Sequence, residues 1–267
     1  MKIPIINNKE AAILNLIANY GYITSSSLDL LIPQRQNIFK YKKLLESKEL
    51  IYCINKYSKV FWLLTSFGES LINVYNPDKG LNYSLDDTDP TLINHTEKQI
   101  AFEIKLLNLA ETQKIPISEF VSDRFLSAKI LKLRTEENKE ILKYYRVPDS
   151  EFIYQEDKKV AVEIELSIKS KFRYFKIFHF YRDFYHYKKV YWLYENTSVR
   201  DKLYNIFMNL CKENETKLET QINDEDVKRK LKRNLLLHTF VDINDFFSNG
   251  FNAKMVTPKD LLHGSHI

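Results

Sequence analysis

The chain has 267 residues, 44% of them hydrophobic and 28% charged, a composition typical of a globular protein with one or two domains. It contains five glycines and neither GxGxxG nor GxxxxGKS/T, the patterns that mark Rossmann and P-loop nucleotide sites. The two cysteines, Cys53 and Cys211, are too far apart for a zinc ribbon and too few for a disulfide scaffold. No apolar run is long enough to span a membrane and no signal-peptide core is present, so we expect a cytoplasmic protein without a membrane partner.

Residues 1–75 have the pattern of a winged helix-turn-helix domain. Apolar residues recur at helical spacing in three segments, and two strand-like segments and one more helix follow them. The predicted helices and strands cover residues 9–19, 24–32, 34–48, 50–54, 59–64 and the segment after Leu64. Gly21 is predicted to end the first helix, and residues 55–58 are predicted to form the turn between the two strands.

Residues 76–90 contain Asn-Pro-Asp-Lys-Gly and Asp-Asp-Thr-Asp-Pro and little that could pack in a core, so we predict a linker there. Residues 91–267 alternate helix and strand, which favours a mixed sheet flanked by helices and hence an α+β protein. Helices are predicted over 91–113, 167–187 and 198–212, and strands over 117–121, 142–147, 151–154, 160–166, 190–194 and 235–241. The extension at residues 213–267 has no assigned role.

The segment from residue 33 to residue 60 holds seven basic and two acidic residues, so its net charge of +5 equals that of the whole chain. A positive recognition helix followed by a positive wing suits contact with DNA phosphates, and polar side chains at the helix start suit contact with base edges. The predicted DNA-binding residues here are Arg35, Gln36, Asn37, Lys40, Lys43, Lys56 and Lys59. A winged helix that binds protein, or a solvated lysine-rich face, would carry the same charge.

Three carboxylates are predicted to converge in the second part of the chain. Glu163 and Glu165 are two apart in a strand and so lie on one face of it, while Asp149 ends the preceding strand of a hairpin. Oxygen ligands in an open cluster suit Mg²⁺ or Mn²⁺, which can activate water for phosphodiester cleavage. Alternate glutamates on an exposed strand beside an ordinary Pro-Asp turn would give the same pattern.

A second basic segment follows the three acids. Lys169, Lys171 and Arg173 lie at the start of a predicted helix rich in Phe and Tyr, and we predict that these three residues bind nucleic acid. Some of the aromatic rings must be core, because a helix this aromatic cannot expose every ring. Others could stack on unpaired bases, which makes single-stranded DNA a predicted partner beside double-stranded DNA.

Asp149, then Glu163-Ile-Glu165 and a helix, resemble the PD-(D/E)xK nuclease fold, also called restriction-endonuclease-like. Glu165 stands where that fold usually has a lysine. Some members carry an acid there and take the lysine from elsewhere in the chain. The resemblance therefore implies that Lys169 or Lys176 stabilises charge at the scissile phosphate, and Lys176 is the first choice.

A winged helix ending in Leu64-Thr-x-x-Gly68, a linker, then Arg146-x-Pro-Asp149 and the acidic pair together resemble the replication-relaxation family. That family includes the MobC-like mobilisation relaxases of plasmids, and the similarity covers roughly residues 8–210. It implies a metal-dependent endonuclease that nicks DNA at a plasmid origin, for conjugation or for relaxation before replication, with plasmid mobilisation proteins as partners. Mg²⁺ or Mn²⁺ would be held by Asp149, Glu163 and Glu165. The alternative is a DNA-binding regulator of plasmid replication or transcription that keeps a degenerate nuclease fold without its chemistry.

Overall fold

The computed structural model describes residues 4–32, 35–75, 90–133, 146–155, 158–183, 186–220, 225–258 and 260. The protein is a mixed α+β structure with two β-sheets, as predicted at this level. The chain divides into two compact units, which consist of Met1–Asn108 with Val121–Leu133, and of Leu109–Phe120 with Arg134–Ile267. In the part of the chain that the structure describes, no helix combines the length and the hydropathy needed to cross a membrane.

The amino-terminal unit contains a three-stranded antiparallel sheet of order β1-β3-β2 and the helices around it. Its elements are α1 (Asn8–Tyr20), β1 (Ile23–Thr24), α2 (Ser25–Leu31), α3 (Arg35–Ser47), β2 (Ile51–Lys56), β3 (Lys59–Leu64), α4 (Ser66–Tyr75), most of α5 (Pro90–Gln113) and α6 (Asp123–Leu133). The predicted helices and hairpin before residue 76 are confirmed. Strand β1 and helix α6 were not predicted from the sequence.

Local chemistry sets the ends of α1. Asn7 accepts a hydrogen bond from the Glu10 backbone and the Glu10 side chain accepts one from the Asn7 backbone, so the two residues form a capping box. Gly21 ends the helix with a φ of 83°, a left-handed conformation that glycine adopts without strain, and the predicted stop is confirmed. Ile13 and Ile17 lie on the buried face between these ends.

The start of α4 is fixed against the end of α3 by Thr65 and Gly68. Thr65 donates its hydroxyl to the carbonyl of Glu49, and its backbone N–H donates to the carbonyl of Leu50. The Thr65 hydroxyl also accepts the Gly68 N–H at 3.0 Å. A Cβ at Gly68 would stand 2.1 Å from the Leu50 carbonyl oxygen, so the glycine of the Leu-Thr-x-x-Gly motif is required by this close approach.

The carboxy-terminal unit is built on a six-stranded sheet of order β4-β5-β6-β7-β8-β9. Its strands are most of β4 (Ile117–Ser122), β5 (Ser150–Tyr154), β6 (Lys158–Glu165), β7 (Lys189–Tyr194), β8 (His238–Asp242) and β9 (Met255–Val256). Its helices are α7 (Lys171–Asp183), α8 (Thr197–Thr220), α9 (Glu225–Leu237) and α10 (Ile243–Asn249). Strands β5 and β6 are antiparallel, β6, β7 and β8 are parallel, and β8 and β9 are antiparallel.

Several predicted boundaries need correction. Arg146 and Val147 lie in an irregular segment, so the predicted strand is wrong at these residues; Pro148, which follows them, has no N–H to donate to a sheet. The rest of that prediction, residues 142–145, and the linker residues 76–89 lie outside the described residues. The predicted helix at 167–187 is the shorter α7, and the one at 198–212 is the longer α8.

Aromatic rings form the core on one face of the six-stranded sheet. Trp192 of β7 and Phe240 of β8 contact Phe207 of α8, and Phe178 of α7 packs edge-on against the same ring. These rings have at most 1% of their surface exposed. Many of the Phe and Tyr residues of α7 are therefore core, as its composition predicts, and α7 covers the face of the sheet that carries Glu163 and Glu165.

Candidate functional site

Strand β6 carries Glu163 and Glu165 on one face of the sheet, as their spacing predicts. In the parallel register with β7, Glu163 lies beside Trp192 and Glu165 beside Tyr194. Both glutamates are 0% exposed. A carboxylate in such a position needs charged or hydrogen-bonding partners inside the protein, because an unpaired buried charge is strongly unfavourable.

Glu163 has its partners on two sides. The Arg146 guanidinium donates from Nε to Oε1 at 3.0 Å and from Nη2 to Oε2 at 2.7 Å, which is a bidentate fork. The Tyr181 hydroxyl donates to Oε1 at 2.5 Å. Burial alone would lower the pKa of Arg146, but the charge of Glu163 outweighs it and raises that pKa, so the guanidinium stays charged. Both oxygens of Glu163 are thus engaged by the protein.

Asp149 joins the two glutamates through the backbone. It lies directly before β5 rather than at the end of a strand, so that part of the prediction is wrong, and its Oδ2 accepts the N–H of Ile164, the residue between Glu163 and Glu165, at 2.6 Å. The three acids that the sequence singles out therefore do meet at one place in the sheet. Their charges also interact, because Asp149 and Glu163 both act on the pKa of Glu165.

Glu165 is held by a lysine and a tyrosine. Lys169 donates to its carboxylate at 2.8 Å, and the Tyr174 hydroxyl donates to Oε2 at 3.3 Å. Burial raises the pKa of Glu165 to about 7; Lys169 opposes the rise, while the negative charges of Glu163 and Asp149 add to it. Glu165 thus changes its protonation state near neutral pH.

The predicted Mg²⁺ or Mn²⁺ ligands do not fit an ion in the arrangement observed. Both Glu163 oxygens accept hydrogen bonds from Arg146, and Glu165 is paired with Lys169. Among the residues that the structure describes, no group of three or more His, Cys, Asp or Glu side chains is placed to hold a metal ion. A guanidinium and an ammonium of the protein itself balance the carboxylates here.

Lys169 and Lys176, the two lysines considered for the acidic site, lie in different surroundings. Lys169 pairs with Glu165, so its charge is not directed to solvent. Lys176 is exposed on α7, with its Nζ 4.5 Å from the centroid of the Phe172 ring. Lys171 and Arg173, the other two residues predicted here to bind nucleic acid, are both exposed. The Lys171 Nζ lies 5.2 Å from the centroid of a neighbouring Phe ring.

The predicted recognition helix presents a polar and basic face. Gln36, Lys40 and Lys43 are exposed on α3 at spacings of four and three residues, so they lie on one side of the helix. Lys43 Nζ lies 4.6 Å from the ring centroid of Phe39, which is 58% exposed. Asn37 is half-buried. Arg35 begins the helix, and its side chain lies outside what the structure describes.

The two predicted DNA-binding lysines of the β2–β3 hairpin differ in their environment. Lys56 lies next to the turn, with its Nζ 5.2 Å from the Tyr57 ring centroid. Lys59 pairs instead with Glu97 of α5, which also accepts from the Thr24 hydroxyl at 2.7 Å. Burial raises the pKa of Glu97, but the donors from Lys59 and Thr24 outweigh it and lower the pKa. Lys59 is thus part of an ion pair, although its side chain is still 38% exposed.

Sequence reasoning missed the two tyrosines that donate hydrogen bonds to the acids and the arginine that balances the charge of Glu163. Tyr174 and Tyr181 are seven residues apart and so share the buried face of α7. This spacing, opposite a strand with alternate glutamates, is a signal that could have found them. Arg146 was noted only as part of a motif, and its pairing with Glu163 depends on the path of the chain before β5.

Compared with known proteins, the chain matches no protein-family model, no curated protein and no solved structure with significance. The resemblance to the replication-relaxation family and to PD-(D/E)xK nucleases therefore stays a prediction that depends on the motifs themselves.

The Arg146–Glu163 pair is expected to couple strongly in a double-mutant cycle. Arg146→Gln leaves a buried carboxylate without its cation and should lower the free energy of unfolding by about 3 kcal/mol. Adding Glu163→Gln should recover most of that loss, because the buried charge is then gone. Urea unfolding of the four proteins measures the coupling.

The exposed pair of Arg200 and Asp201 is the matched control, since its side chains are 37% and 57% exposed. Its coupling should stay below about 1 kcal/mol. An Arg146–Glu163 coupling no larger than this control would contradict the structure of the site.

Glu165 predicts a pH dependence of stability. The folded pKa of about 7 lies above the ordinary 4.5, so between these values the native carboxyl holds a proton that the unfolded one has lost. The contribution of the protonated Glu165 carboxyl to the free energy of unfolding is therefore full below pH 4.5 and is lost as the pH rises through 7. The unfolding free energy of wild type relative to Glu165→Gln should therefore fall by up to about 3 kcal/mol over this window. Urea unfolding at several pH values measures it, and a constant difference would exclude the raised pKa.

Proposed function

We propose that the chain is a DNA-binding protein in which a winged helix-turn-helix contacts DNA and a PD-(D/E)xK-like core is kept with its acidic site neutralised. The observation that carries the DNA-binding part is the face of α3 with Gln36, Lys40 and Lys43 exposed together. This face has the composition that a recognition helix needs, with an amide able to reach base edges and two cations able to contact phosphates.

The elements around α3 support its assignment as a recognition helix. Helix α2 precedes it, and the antiparallel hairpin of β2 and β3 follows it, in the order of a winged helix. Tyr57 and Ser58, at the hairpin turn, have φ values of 50° and 59°, a tight connection that brings Lys56 and Lys59 to the end of the two strands. Lys56 is half-buried beside Tyr57 and Lys59 shares its charge with Glu97, so both lysines stay proposed phosphate contacts of the wing.

The connection of the strands supports the relation to PD-(D/E)xK nucleases. An antiparallel hairpin of β5 and β6 leads through α7 to β7, which is parallel to β6. Asp149 before β5 and Glu163 within β6 stand at the positions that the resemblance assigns to the acidic residues.

The contacts of the acidic site favour the non-hydrolytic alternative. Glu163 is closed off by Arg146 and Tyr181, and Glu165 by Lys169 and Tyr174. These partners satisfy the buried carboxylates without any further cation, so the site supports the structure of the core as it stands. The function that fits best is a regulator of replication or transcription that acts by binding DNA.

A metal-dependent nickase is the second candidate, and the meeting of Asp149, Glu163 and Glu165 favours it. Catalysis at this place would require Arg146 to leave Glu163, because the fork occupies both of its oxygens. Lys169, which already contacts Glu165, would then be the lysine nearest the acids, in place of the predicted Lys176.

DNA binding through α3 is tested with the double variant Lys40→Gln/Lys43→Gln. We expect its affinity for a duplex of about 30 base pairs to fall roughly tenfold or more at moderate salt, because two phosphate contacts are lost. The slope of log affinity against log salt should become shallower by about 2. Fluorescence anisotropy at several salt concentrations measures both quantities.

Lys202→Gln/Lys212→Gln, which removes two exposed lysines of α8, is the charge-matched control and should bind as wild type does. Equal affinities for the two double variants would refute the assignment of α3.

Nicking of supercoiled plasmid in the presence of Mn²⁺ separates the two candidate functions. We expect wild type, Asp149→Asn and Glu163→Gln to leave the plasmid supercoiled to the same extent while wild type retards it on a gel. Nicking by wild type that both variants lose would establish the nickase and overturn the regulator.

A further inference from the structure

A basic cleft lies where α9 passes the start of β7, in the part of the chain to which the sequence assigns no role. Its volume is about 440 Å³. Among the described lining residues four are basic and none is acidic: Lys188, Arg229, Lys232 and Arg233. The remaining lining residues are one tyrosine and two leucines. A cleft of this size has room for a phosphate with its attached sugar.

Arg233 is the least exposed of the four basic lining residues and joins α9 to the end of α7. Its guanidinium donates to the carbonyls of Tyr181 at 3.3 Å, Arg182 at 3.1 Å and Tyr187 at 2.7 Å. Backbone carbonyls orient a guanidinium without removing its charge. The charge acts on the interior, since burial lowers the pKa of His238 to about 3 and Arg233 adds to that lowering.

Three further cations line the cleft. Lys188, Arg229 and Lys232 are exposed, and the backbone of Lys188 is fixed by a hydrogen bond to the carbonyl of Lys159 at 2.8 Å. Leu236, 55% exposed, lies beside them on α9. The cleft thus combines several positive donors with a small apolar rim, which suits a phosphate and the sugar that carries it.

We propose that this cleft binds the phosphate backbone of nucleic acid and forms a second nucleic-acid contact of the protein, separate from α3. The proposal extends the proposed function to a surface of the carboxy-terminal unit and assigns a role to α9. A polyanion is favoured because the charged lining residues that the structure describes are all basic, and each neutralised phosphate would release counterions.

The test uses the full chain with Lys188→Gln/Lys232→Gln, which removes two exposed charges and leaves Arg233 in place. We expect its affinity for the 30-base-pair duplex to fall about tenfold and the salt slope to become shallower by about 2, while Lys202→Gln/Lys212→Gln binds as wild type does. A quadruple variant that combines these two substitutions with Lys40→Gln/Lys43→Gln should bind the duplex more weakly than either double variant does. Unchanged thermal melting shows that the losses do not come from unfolding.

Each outcome distinguishes this inference from the proposed function. Loss of affinity in the cleft variant alone, with α3 variants unaffected, would support the cleft and overturn the α3 assignment. Loss of affinity in the Lys40→Gln/Lys43→Gln variant alone would support the α3 assignment and overturn the cleft. Weaker binding of tripolyphosphate by the cleft variant, with duplex affinity equal to the control, would overturn the nucleic-acid contact in favour of a small polyanion.

Discussion

The burial of two glutamates in one strand is the constraint on which the carboxy-terminal unit depends. Glu163 and Glu165 are fully buried on the sheet face that α7 covers, where an unpaired carboxylate would be strongly unfavourable. Arg146 and Lys169 therefore have to approach them, and the buried face of α7 has to carry hydroxyl groups where it meets them. The segment before β5 and the turn after β6 are both held in place by these pairs.

The same pairs explain why the site is a poor metal site as it stands and why the resemblance to nucleases does not by itself make the chain a nuclease. In a hydrolytic site the carboxylates are free to bind an ion, whereas Arg146 engages both oxygens of Glu163. Exposed basic residues lie elsewhere, on α3 and around the cleft of α9 among other places. Charge within the core therefore stabilises structure, and the proposed contacts with nucleic acid depend on the charge at these two surfaces.

Local sequence patterns predicted those features of the fold that depend on residues close together in the sequence. The alternation of Glu163 and Glu165 and the glycine stop at Gly21 are decided within a few residues, and the structure agrees with them. The predicted hairpin turn at residues 55–58 is shorter in the structure, because Asn55 and Lys56 pair within β2. Pairing across long distances could not be predicted in this way. Lys59 has the same sequence signal as Lys56, yet it forms an ion pair with Glu97, which is 38 residues away in the sequence. Arg146 likewise finds Glu163 only because of the chain's path before β5, which no periodicity describes.

The most direct measurement of whether the acidic site is closed is a titration of the full chain with Mn²⁺. Binding is detected as a loss of the electron paramagnetic resonance signal of the free ion. At pH 7.5, wild type should leave the signal of added Mn²⁺ unchanged. Arg146→Gln should reduce it, because the carboxylates then lack their internal cation. Binding of about one Mn²⁺ per chain by wild type, abolished by Asp149→Asn, would contradict the closed site and would favour the metal-dependent nickase over the regulator.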